Sequence, residues 1–267
     1  QKFGAGTLVL SGNNSYTGGT HFISGRLNSA HDNAFGTGAV TIGDQTPFSI
    51  DNILYFADTG SARTIANDFH VTGTADVEIN SSQLSFTGTL SNPDGDATLR
   101  LRPMGNVSFD DIAIGSASSG VDSRFTLALG QLSGGNVSVD INGAVSDAGE
   151  GAGTLVIDSV SPVTFHGVNT HTGGTELIGY GQNVTIATGA SLSASTADLR
   201  ADNGNLTFNN TAQTVRTLSG STYGTNLVLS SGHTFTTDTA ANSTFAGRIT
   251  GDGSFVKSGT GALTLTH

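Results

Sequence analysis

One unit recurs along the chain, and a recurring unit constrains the fold before any single residue does. It first reads Gly4-Ala-Gly-Thr-Leu-Val-Leu-Ser-Gly-Asn-Asn-Ser-Tyr-Thr-Gly-Gly-Thr20 and runs on through Ile23-Ser24-Gly25-Arg26-Leu27. A second copy begins Gly151-Ala-Gly-Thr-Leu-Val-Ile157 and continues Phe165-His-Gly-Val-Asn-Thr-His-Thr-Gly-Gly-Thr175 to Gly179. A third reads Lys257-Ser-Gly-Thr-Gly-Ala-Leu-Thr-Leu-Thr266. A related stretch, Ser243-Thr-Phe-Ala-Gly-Arg-Ile-Thr-Gly-Asp-Gly-Ser-Phe-Val-Lys257, precedes the third copy and is echoed at Ser85-Phe-Thr-Gly-Thr-Leu-Ser91. The spacing is irregular, so the repeat is degenerate and carries insertions, with repeat-like units near 2–43, 151–179 and 243–267.

Each unit joins a glycine turn to a short alternating burst. Glycine supplies the positive φ of a sharp turn, and the alternation that follows sends Leu and Val to one side and Thr and Ser to the other. Such a unit cannot bury its own apolar face. Stacked coils about 4.8 Å apart give every strand a neighbour above and below and form a continuous apolar column. The sequence therefore predicts an all-β solenoid along 1–267, a single body of roughly ten coils and about 50 Å, at solenoid periods of roughly 20 to 30 residues.

Composition agrees. Glycine accounts for 38 residues and charged residues for 12%, with no cysteine or tryptophan, unlike the charge-rich profile of a typical globular enzyme. Disorder is disfavoured because 36% of residues are hydrophobic and fall in strand-length bursts, such as Leu8 to Leu10, Leu99 to Leu101, Phe125 to Leu129 and Leu227 to Leu229. Helices are not expected, since few stretches avoid glycine and β-branched residues long enough; Ser191 to Ala201 is the least unfavourable candidate. A net charge of -11 repels nucleic acid and anionic membrane surfaces. Zero cysteine removes disulfides and thiolate metal sites. Gln1-Lys2-Phe3 leads directly into the repeat and no apolar run approaches membrane-spanning length, so an export signal and membrane anchor are expected outside this segment.

The string Gly4 to Thr20 resembles the passenger-associated transport repeat of bacterial autotransporters, and Ser243 to Thr266 is similar to the end of the same unit. The resemblance implies a right-handed parallel β-helix displayed at or released from the surface of a Gram-negative cell, with an outer-membrane barrel beyond His267. It also implies the roles common among such passengers: adhesin, aggregation factor or toxin. The middle copy departs from the pattern. Asp158 to Pro162 replaces Ser-Gly-Asn-Asn, and Thr170-His171 replaces the tyrosine, which marks this region as a candidate loop or bulge.

Candidate chemistry is sparse. No nucleophile elbow and no recognisable Ser-His-Asp context appears, which argues against a serine protease. Asp94, Asp96, Asp110 and Asp111, near Arg100 and Arg102, form the densest charged stretch; paired carboxylates would suit a polysaccharide hydrolase or lyase, and Asp94 with Asp96 is a weak calcium candidate. Asn92-Pro93-Asp94-Gly95 reads more simply as a turn. His21, His166 and His171 lack a third metal ligand at a defined spacing and read as surface residues, while His267 reads as the start of a tag. Tyr16, Tyr55, Tyr180 and Tyr223 form either a stacking face for sugars or protein, or caps on the coils. Asn13-Asn14 and Asn209-Asn210 are candidates for amide ladders, and Asn106 and Asn205 open formal glycosylation triplets.

The expectation is thus a non-enzymatic, cofactor-free adhesin or rigid stalk that presents loops to a surface protein or glycan of a host or neighbouring cell and can self-associate. A carbohydrate-active β-helix enzyme, a structural filament and a toxin-like passenger are the alternatives.

Overall fold

A computed structural model describes residues 1–43, 53–115, 120–130, 137–181 and 183–267. Among them every named strand pairing is parallel and no helix occurs. The least unfavourable helical stretch, Ser191 to Ala201, instead carries an isolated bridge at Ser191 and the strand Leu199–Ala201.

The chain winds through about eleven turns. Each full turn visits three faces, visible in one coil as Ala97–Pro103 on a long face, Asn106–Phe109 on a second and Ile112–Ile114 on a third. The strand Phe69–Ile79 joins two coils by running from the third face of one into the long face of the next. Strand positions paired between adjacent coils lie as few as 19 residues apart, at Thr7 and Arg26, and as many as 33 apart, at Ile112 and Val145. Irregular coil lengths of this kind explain why the sequence repeat is degenerate.

Strand alternation builds the core. On the long face Leu27, Leu54, Val77, Leu101 and Leu129 stand in one register, and on the second face Ile65, Phe86, Phe109, Ile141, Phe165, Ile186, Phe208 and Leu229 stand in another. All are buried in one continuous cluster. Burying each such side chain contributes about 1.5 to 3 kcal/mol. Phe86 and Phe109 stack with centroids 5.1 Å apart, and Phe69 meets Phe86 edge-on at the same separation.

The Thr-Gly-Gly-Thr turns behave as the sequence implies. In both copies the second glycine has positive φ, +77° at Gly19 and +130° at Gly174. A Cβ there would stand 2.8 Å from Ala39 O and 2.7 Å from Asp198 O, so each turn nests on the backbone of the next coil.

Corner residues lock one coil to the next. Asp68, Asp96, Asp111 and Asp122 each accept a backbone N–H from the following coil, from Thr89, Arg124, Ala144 and Ala152 at 2.8 to 2.9 Å. Asn106 and Asn242 do the same for Ser138 and Ala262. Asn92, fully buried, accepts from Gly115 N at 2.9 Å and donates to Gly95 O at 2.6 Å. Each such bond satisfies a donor that the strand ladder leaves open at a bend. The Asp clamps and those of Asn106 and Asn242 are exposed and contribute about 0.5 to 1.5 kcal/mol each, while the buried Gly115 N–H would cost about 1 to 3 kcal/mol if left unpaired.

Candidate functional site

The acidic stretch does not assemble. Asp94 is exposed in the Asn92 to Gly95 turn, at the corner leading into the long face, and Asp96 beside it serves as the clamp on Arg124 N. Asp110 and Asp111 follow the second-face strand at a different corner. Arg100 and Arg102 point to neither group; they bind Asp76 and Glu78 of the preceding coil at 3.1 to 3.6 Å. Among the described residues no group of three or more His, Asp or Glu side chains is placed to hold a metal ion.

The long face instead carries two ladders of alternating charge. In the first, Arg26 and Arg102 flank Glu78, and Arg100 and Arg102 flank Asp76. In the second, Arg124 makes a two-pronged bond to Glu176 at 2.5 and 2.6 Å, and Arg200 joins Glu176 to Asp202. The bond to Arg124 holds the Glu176 carboxyl below its usual range, with Arg200 adding to the effect against partial burial. A carboxyl kept ionised by arginine is poorly suited to donate a proton, so this pair does not resemble the raised acid of a glycosidase.

One arginine is turned inward. Arg63 occupies the second-face register of Leu84 and Val107, yet is only 2% exposed. Its guanidinium donates to Ser29 O at 2.8 Å, Ser29 Oγ at 3.0 Å and Asp32 Oδ1 at 3.2 Å, and lies 5.7 Å from the Phe56 ring centre. The sequence reading missed it, because Ala62-Arg63-Thr64-Ile65 gives no sign of which parity faces in.

The histidines separate. His166 is an exposed residue whose Nε2 lies 3.1 Å from Asp140 Oδ1. His21 is partly exposed on the third face, and His267 meets Arg248 at 3.1 Å. His171 is not a surface residue: it is fully buried, with Nε2 2.9 Å from Thr175 Oγ1 and Nδ1 without a hydrogen-bonding partner among the described residues. Burial pushes its pKa down to about 4, against smaller opposing contributions from nearby carbonyls and Asp147. The first copy explains the placement. There Tyr16 OH bonds Thr20 Oγ1 at 2.6 Å across the same four-residue step, so the middle-copy histidine takes over the tyrosine's partner while turning into the core. The neighbouring departure, Asp158 to Pro162, closes the long-face strand at Ser159 and then turns a tight corner in which Ser159 Oγ donates to Ser161 O and accepts from Ser161 N.

The tyrosines also divide. Tyr55 lies on the long face under the Arg26 guanidinium, 4.4 Å from its carbon, and accepts from Asn80 Nδ2 at 2.9 Å. Tyr180 and Tyr223 stand 80% and 67% exposed where the long face bends into the second. Of the proposed amide ladders, Asn33 Nδ2 reaches Asn13 Oδ1 at 2.9 Å, whereas Asn14 and Asn210 donate to backbone carbonyls of Ala34 and Ala190. An amide rung absent from the sequence reading joins Asn205 to Asn183 at 2.8 Å, which places the Asn205 glycosylation triplet in a ladder; Asn106 of another triplet is a corner clamp.

No curated protein and no solved structure matches the chain. Residues 1–28, the first coil and the turn into the second, match the family described as the passenger-associated-transport-repeat, consistent with the repeat region of an autotransporter passenger.

Proposed function

We propose that this chain is a single solenoid segment of a larger autotransporter passenger, carried outside a Gram-negative cell, where it serves as a rigid stalk and adhesive surface. In this reading the coil is right-handed, the hand that parallel crossovers adopt. The observation that carries it is the transport repeat at residues 1–28 heading a parallel solenoid of about eleven turns. A stack of this kind gains stability from each neighbouring pair of coils, so it holds a fixed length and presents its corners at regular intervals. Weak contacts repeated along such a rod add through multivalency. Its partner would be a protein or glycan of a host or neighbouring cell, or another copy of the chain. A carbohydrate-active enzyme finds little support in arginine-held carboxylates such as Glu176.

The test is display of the segment on a Gram-negative cell, with antibody access before and after permeabilisation, followed by adhesion and settling assays. Access on intact cells with increased adhesion is expected. Access without adhesion leaves only the stalk role, and a signal confined to permeabilised cells overturns the reading.

A further inference from the structure

Of the exposed large apolar side chains outside the first coil and the last strands, four share one corner, while Val121 and Val168 stand on the other two. Met104, Val160, Tyr180 and Tyr223, at 49%, 49%, 80% and 67% exposure, each follow a long-face strand and precede a second-face strand. These positions follow the same corner in four of the stacked coils. Tyr180 and Tyr223 lie two coils apart, about 10 Å at sheet spacing. Between them the corner is the low Asp202-Asn203 step, with Asp202 buried. The corner is therefore a saddle with an aromatic ring at each side.

The loops are built to project these rings. Tyr180 sits between Gly179, whose Cβ would fall 2.2 Å from Ser159 O, and Gly181, at φ +66°. Beside Tyr223 a groove is lined by Arg200, Ser219, Ser221, Thr244 and Thr266. Ser221 Oγ donates to Asp202 at 3.1 Å, which leaves its lone pairs to accept. The charge of Arg200, the arginine that lines the groove, is already met by Glu176 and Asp202, while Arg248 bonds the His267 ring that lies 5.9 Å from Tyr223.

The geometry points to a binding ridge for a neutral glycan chain, lying along this corner with sugar faces on Tyr180 and Tyr223 and sugar hydroxyls on the Ser and Thr groups between and beside them. An exposed tyrosine is apolar on its face and polar at its tip, and a sugar ring offers the complementary C–H face rimmed by hydroxyls. Neutrality follows from charge: the chain carries -11, and the arginine in the groove is spoken for. This inference rests on the adhesive reading above and gives it a location and a ligand class.

The test uses calorimetric titration of the chain with neutral hexasaccharides (cellohexaose, chitohexaose and laminarihexaose) and with an anionic oligogalacturonate, for wild type, Tyr180→Ala/Tyr223→Ala and Tyr180→Phe/Tyr223→Phe. Both rings are exposed, so an unchanged melting temperature verifies the fold of each variant. Saturable binding of a neutral hexasaccharide is expected, weakened at least about tenfold in the double alanine variant and retained in the phenylalanine variant. Binding that survives both alanines, a preference for the oligogalacturonate, or no binding of any neutral sugar overturns the ridge. Running the cell adhesion assay in parallel separates the two failures: adhesion that persists when sugars are silent rejects the glycan ridge and leaves the passenger reading intact.

Discussion

Lowering the pH tests the burial of His171 directly. Its folded pKa is about 4 against the ordinary 6.5, because the fully buried ring loses more solvation on charging than its neighbours return. Between those values the unfolded chain takes up a proton that the folded chain refuses, so unfolding gains protons and stability falls as the pH drops. The dependence sets in near pH 6.5, is complete near pH 4, and amounts to roughly 3 kcal/mol at 1.36 kcal/mol per pKa unit. The measurement is urea unfolding of wild type and His171→Gln at several pH values from 7.5 to 4, with hydrogen exchange of the amides around Thr175 locating the loss. Glutamine can still donate to Thr175 Oγ1 but carries no titrating proton, so the variant should start about 1 kcal/mol less stable at neutral pH and lose less on acidification. Carboxylates titrate in both proteins and cancel in the comparison. Parallel curves for the two proteins from pH 6.5 to 4 would refute the argument that the ring is buried and neutral.

Four further outcomes follow from the same structure. Arg63→Ala should cost about 2 to 3 kcal/mol in chemical unfolding, because Ser29 O and Oγ lose their donor inside the core, whereas Arg63→Leu, which extends the column of Leu84 and Val107, should cost less. Gly174→Ala combines positive φ with a Cβ at 2.7 Å from Asp198 O and should destabilise clearly more than Gly189→Ala, where φ is also positive but nothing lies within 4 Å; thermal melts of the pair decide this. Asp96→Ala should cost about 1 kcal/mol by freeing Arg124 N, with Asp96→Asn nearly silent, and a calcium-induced rise in melting temperature that Asp96→Asn abolishes would show the clamp role to be incomplete. Phe109→Ala should cost about 3 to 5 kcal/mol in urea unfolding, since that side chain is 1% exposed in the middle of the second-face column.

The strands and turns were legible because they are local. Leu8 to Leu10, Leu99 to Leu101 and Leu155 to Ile157 alternate or run apolar between glycine turns, and Gly19 and Gly174 sit where only a glycine fits. What decides which side chains meet is inter-coil register, and insertions scramble that along the sequence. Arg124 and Glu176 are 52 residues apart, and no spacing rule leads from one to the other. Likewise Asp94 and Asp110 look close in sequence but fall on separate corners, because two strands, one on each of two faces, run between them. His171 was misread as a surface residue, since a turn residue has no parity to read. The usable signal was its alignment with Tyr16 in the repeat, which carries its hydroxyl partner, Thr175 for Thr20, along with it.

The placement of charge explains how the long face is closed. Parallel stacking sets equivalent positions of successive coils about 4.8 Å apart, so a column of like acids on one face would repel at every step. The chain carries only 10 Lys and Arg against 21 Asp and Glu, and it spends five of its arginines, at 26, 100, 102, 124 and 200, on the long face, where Asp76, Glu78 and Glu176 would otherwise lack a counter-charge, Arg200 also reaching Asp202 at the adjoining corner. Each exposed pair contributes at most about 1 kcal/mol, but the ladders cross several coil boundaries and so oppose slippage of one coil against the next. A face closed by such ladders presents matched charges that a partner would have to break. Many of the remaining acids, including Asp68, Asp96, Asp111 and Asp122, are tied to backbone amides at corners. The projecting Tyr180 and Tyr223 take no part in these ladders or clamps, so the binding proposed for them would leave the forces that hold the coils in register untouched.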